Sequence, residues 1–84
     1  MEVQTKTKQY NVMIMGVSPY DDVLRIEIVR PDLNDVFGTF TNPQETKTIT
    51  HIMDGQKTIL RGYTKFLSID CLKNGNVIVA LDRK

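Results

Sequence analysis

Tryptophan is missing from this chain, and cysteine and histidine occur once each among its 84 residues. A lone Cys71 cannot close a disulfide within the chain, and one Cys with one His does not make a paired zinc-ligand pattern. Stability must therefore come from packing, which suits a reducing compartment. Neither sign of charge dominates. Eleven Lys and Arg against ten Asp and Glu leave a net charge of +1, too little for indiscriminate attraction to nucleic acid or an anionic membrane. The longest apolar run, Val12–Val17, falls far short of the ~20 residues that span a bilayer. The first six residues, Met1–Lys6, lack the apolar segment of a signal peptide. These absences point to a soluble, cytoplasmic protein without a membrane partner.

The chemistry-bearing motifs are missing too. There is no phosphate-binding glycine loop, no nucleophile elbow and no dinucleotide fingerprint. Cys71 lies within an apolar strand pattern, where a thiol behaves as a small hydrophobe, and is expected to be buried and inert. His51 has neither a second histidine nor metal-ligand spacing nearby. Asp21-Asp22 and Asp32-Asn34-Asp35 carry oxygens that suit a hard cation, but they follow no calcium-loop pattern and are ordinary turn formers. We assign no catalytic residue, no metal ligand and no cofactor, and expect a non-enzymatic protein.

What is present is a succession of hairpin signals. Asp54-Gly55 separates Thr46–Met53 from Gln56–Lys65, and Asn74-Gly75 separates Phe66–Lys73 from Asn76–Arg83. Both pairs tolerate the positive φ angles of a type I′ turn, whose twist matches that of its strands. A two-residue loop at Asp54-Gly55 sets Met53 opposite Gln56, His51 opposite Thr58 and Ile49 opposite Leu60. Ile49, Met53 and Leu60 then mark the core side. The same loop at Asn74-Gly75 pairs Cys71 with Ile78 and Ile69 with Ala80, leaving Val77, Val79 and Leu81 on the opposite face.

Upstream, residues 1–8 read as an arm and 9–84 as a single β domain. Tyr10–Val17 has apolar residues on both parities, as a strand covered on two sides would. Val23–Arg30 alternates, with Leu24, Ile26 and Ile28 on one face. Val36–Thr41 reads as a short strand with a bulge at Gly38. Asn42, Pro43 and Glu45 resemble a helix start, yet Thr46, Thr48, Ile49, Thr50 and Ile52 are β-branched and favour a strand.

The expected fold is an all-β antiparallel barrel or sandwich of six to seven strands built from sequential hairpins. A helix at 43–54 would turn it into an OB-like barrel. The expected partner-binding face is Ile52, Lys57, Ile59, Arg61, Tyr63 and Lys65, where apolar and basic residues interleave on a strand. Val77, Val79 and Leu81 form a second possible interface, for self-association or a partner. The leading expectation is a small protein-binding module, an accessory, inhibitor or assembly protein of the size common in phages and mobile elements. The alternative is a small β-barrel that binds single-stranded nucleic acid through Lys57, Arg61 and Lys65, with Tyr63 stacking on bases.

Overall fold

The structure, a computed structural model, describes residues 1–83. Seven strands occur in chain order: β1 (Glu2–Gln4), β2 (Gln9–Val17), β3 (Leu24–Ile28), β4 (Thr48–Met53), β5 (Gln56–Arg61), β6 (Lys65–Cys71) and β7 (Val77–Asp82). Helices α1 (Leu33–Phe40) and α2 (Pro43–Thr46) lie between β3 and β4. Every strand pairing is antiparallel, and the sheet order is β5-β4-β1-β2-β3-β7-β6.

The two edges, β5 and β6, are consecutive in sequence, and that forces the sheet to curl. A flat seven-stranded sheet would hold its edges ~29 Å apart, six gaps of ~4.8 Å. Only Gly62, Tyr63 and Thr64 join Arg61 to Lys65, and four Cα steps reach at most ~15 Å. The strands therefore wrap round until their edges approach, giving nearly equal dimensions of 28 × 28 × 27 Å. No ladder joins β5 to β6, so the sheet stays open and is not a closed barrel.

The inner face carries the core. Leu24, Ile26 and Ile28 of β3 are buried, as their alternation requires, and meet Val3, Val12, Ile49, Val77, Val79 and Leu81 from the other strands. Val36 and Phe40, one helical turn apart on α1, complete it. The arm, residues 1–8, enters the sheet. Glu2–Gln4 form β1 between β2 and β4, with Val3 fully buried.

Four local expectations change. Val36–Thr41 is helical rather than extended. Asp32 accepts from the amides of Asn34 (2.9 Å) and Asp35 (3.3 Å) as an N-cap, and Leu33, Val36, Phe37 and Phe40 follow a helical period. The stretch 42–54 is both helix and strand: Asn42 caps a single turn, α2, and the β-branched run forms β4. β2 is central in the sheet but covered on one face only. A bulge between Val12 and Ile14 shifts its parity and leaves Ile14 60% exposed.

The fourth change is at Asn74-Gly75. Gly75 N–H donates to the Leu72 carbonyl (3.0 Å) and Leu72 N–H to the Asn76 carbonyl (2.8 Å), closing a three-residue loop with only Gly75 left-handed (φ +90°). The register moves by one residue. Val77, Val79 and Leu81 pair with Cys71, Ile69 and Phe66 and point into the core, so they are not an interface. Cys71, at the end of β6, is exposed rather than buried. The Asp54-Gly55 hairpin adopts the expected register, with φ of +52° and +80° at its centre.

Candidate functional site

The β4–β5 hairpin gathers most of the proposed face. Its register sets Ile52 opposite Lys57, Thr50 opposite Ile59 and Thr48 opposite Arg61. Paired residues share a face, and because Ile49 points into the core these six point outward. Lys57, Ile59 and Arg61 are exposed, Ile59 by 52%, while Ile52 is half-buried. On β1, Glu2 faces Ile52 and Gln4 faces Thr50, extending the surface inward from the edge.

Two of the expected residues are elsewhere. Gly62 takes φ +84° directly after β5, which ends the strand and resets the alternation. Tyr63 therefore turns inward and is fully buried. Its hydroxyl donates to Asp22 Oδ1 (3.2 Å), and the Arg83 guanidinium covers the ring at 4.6 Å. Lys65 is exposed but opens β6 at the other edge of the sheet, opposite Asp82. Ile52, Lys57, Ile59 and Arg61 remain together; Tyr63 and Lys65 do not join them.

The fold adds residues that no sequence pattern marks. Thr5, Lys6, Gln44, Lys47, Thr48 and Thr50 line a groove of about 340 Å³ where α2 meets the β1–β2 turn. Thr48 and Thr50 belong both to this groove and to the β4–β5 face. Lys6 and Lys47 thus extend the cationic surface begun by Lys57 and Arg61. They are 41 positions apart in the chain, and only the placement of β1 beside β4 unites them.

Next to the groove, a polar cleft holds the β1–β2 turn against the helices. Glu45 accepts from the hydroxyls of Thr5 and Thr7 (2.7 Å each) and from the Thr7 amide (3.0 Å). These bonds hold its carboxyl below the usual range, Thr7 contributing most. Asp35 accepts from the Tyr10 hydroxyl (2.6 Å) and pairs with Lys8 (3.0 Å). The Tyr10 bond and then Lys8 lower the Asp35 carboxyl, while Lys8 is raised by the same contact. Tyr10 itself is raised, first by burial and then by its bond to Asp35. Each of these carboxylates already has protein partners, so the cleft reads as a clasp between turn and helices.

The Thr5, Thr7 and Tyr10 hydroxyls that donate to Glu45 and Asp35 belong to this clasp, and the candidate site is the β4–β5 arrangement beside it. That arrangement offers an outer sheet surface with cations and isoleucine, a free strand edge and an adjoining cationic groove. No family model matches the chain, and no curated protein or solved structure matches it.

Proposed function

We propose that this chain is a small, non-enzymatic, cytoplasmic binding protein that engages another protein through the outer face and free edge of β5. The observation that carries the reading is the exposed row Lys57, Ile59 and Arg61, set on the strand that ends the sheet. Exposed isoleucine between long cations is the composition of a contact surface with an apolar centre and a charged rim. An accessory, inhibitor or assembly role fits a chain that offers a surface and no catalytic set. Single-stranded nucleic acid is the second reading, favoured by Lys6 and Lys47 beside Lys57 and Arg61. It lacks a stacking ring on this face, because Tyr63 is buried beneath Arg83.

Affinity capture from extract of the protein's own cells tests the reading, comparing the wild type with Lys57→Glu/Arg61→Glu. Both side chains are exposed, so the variant is expected to fold with stability within about 0.5 kcal/mol of the wild type. It is expected to lose protein partners that the wild type retains in high salt. Identical capture by both proteins counts against the surface, and a steep salt dependence with oligonucleotides moves the reading to nucleic acid.

A further inference from the structure

β5 is an edge strand guarded by charge alone. It pairs with β4 along all six residues without a bulge and contains no proline, whereas the other edge, β6, carries a bulge between Phe66 and Ser68. The parity of the free edge follows from the hairpin. Gly62 N–H donates to the Lys47 carbonyl (3.0 Å), continuing the register in which Met53 pairs with Gln56. Hydrogen-bonded pairs alternate with non-bonded ones along an antiparallel ladder. The backbones of Gln56, Thr58 and Leu60 therefore face β4, and those of Lys57, Ile59 and Arg61 face outward. Among the described residues no other segment bonds to these three backbones. One row thus combines unpaired amides and carbonyls with a cation, an isoleucine and a second cation above them.

The β5 row of a second copy does not fit that row in register. Antiparallel pairing about Ile59 would set Lys57 opposite Arg61 twice, and parallel in-register pairing would set each cation beside its own copy. Like charges directly opposite destabilise a strand pair, whereas opposite charges stabilise it. The same two residues that repel this row in a copy would attract a strand with carboxylates at the facing positions.

We propose that β5 accepts, as an eighth strand, an extended segment of another protein with the pattern acidic–x–apolar–x–acidic. Its carboxylates would face Lys57 and Arg61, its apolar residue would face Ile59, and its backbone would complete the outward hydrogen bonds. This inference rests on the reading of β5 as a binding surface, and it names the ligand.

The test uses the isotope-labelled full chain and a short synthetic peptide containing glutamate-threonine-valine-threonine-glutamate. Bound peptide should slow exchange of the Lys57, Ile59 and Arg61 amides. Affinity should fall about tenfold or more in Lys57→Glu/Arg61→Glu, as two attractive cross-strand pairs become repulsive. It should recover with a peptide whose two glutamates are replaced by lysine. Ile59→Pro removes one outward N–H and leaves both cations and the β4 ladder intact, so it too should abolish protection. Unprotected amides at saturating peptide would overturn the proposal, as would no recovery with the lysine peptide. Equal protection by a single-stranded oligonucleotide would also overturn it, in favour of a polyanion. If the charge reversal abolishes capture from extract while the peptide leaves the amides unprotected, strand addition fails and the surface reading stands. If capture is unaffected, the surface reading itself fails.

Discussion

The Tyr63 hydroxyl bonds to Asp22 Oδ1 at 3.2 Å, tying the three-residue link between the sheet edges to the turn between β2 and β3. Arg83 lies over the same ring and pairs with Asp22 Oδ2 at 3.7 Å. The link, the turn and Arg83 therefore meet on one fully buried aromatic side chain.

Tyr63→Ala should cost about 3–5 kcal/mol of stability, since it removes a fully buried ring and leaves a cavity. Tyr63→Phe keeps the ring and should cost about 0.5–1.5 kcal/mol for the lost hydrogen bond. Urea unfolding of the two variants measures the difference. Equal costs for both would mean that packing of the ring is not what holds the link.

Acid should loosen the clasp around Glu45 and Asp35. Both carboxyls are held below their ordinary values in the folded chain, Glu45 by Thr7 and Thr5 and Asp35 by Tyr10 and Lys8. A depressed folded value contributes stability above the unfolded value, and that contribution disappears as pH falls through the folded one. The urea midpoint should hold steady down to about pH 4.5 and decline below it. Asp35→Asn combined with Glu45→Gln should make that decline shallower.

Gly75 supplies the left-handed residue of its loop at φ +90°, and an added Cβ would stand 3.0 Å from Arg30 Cγ. Gly75→Ala should lower stability by about 1–2 kcal/mol through the left-handed steric penalty. Asn74 does not take positive φ, so a left-handed preference at that position has no role. A urea midpoint for Gly75→Ala equal to that of the wild type would refute the three-residue loop.

Cys71 is exposed at the end of β6. A thiol reagent should label it in the native protein within a few-fold of the rate in denaturant, since access is not limited by unfolding. Protection by orders of magnitude would place it back inside the core.

Several parts of the architecture were legible because local chemistry decides them. Asp54-Gly55 dictates a type I′ turn, that turn sets the β4–β5 register, and the register puts Lys57, Ile59 and Arg61 on one face. Leu24, Ile26 and Ile28 mark a buried strand face by alternation alone. A helical period was also present in Leu33, Val36, Phe37 and Phe40, behind the capping residue Asp32, but Gly38 and β-branched Val36 obscured it.

Other features depend on contacts between residues distant in the chain. At Asn74-Gly75 two loop lengths were compatible with the residues. The longer one points Val77, Val79 and Leu81 into the core and leaves Ile78 half-buried on the opposite face. Tyr63 continues the outward alternation on paper, but the left-handed Gly62 and the need to join two sheet edges turn it inward. That Lys6 and Lys47 share a groove, and that β5 ends the sheet, follow from strand order, which long-range pairing sets. The sequence alone determined which residues share the β4–β5 face, because turn geometry and strand period act over a few residues. Only the tertiary structure decided that this face borders an open edge, because an edge is defined by the strand that fails to arrive.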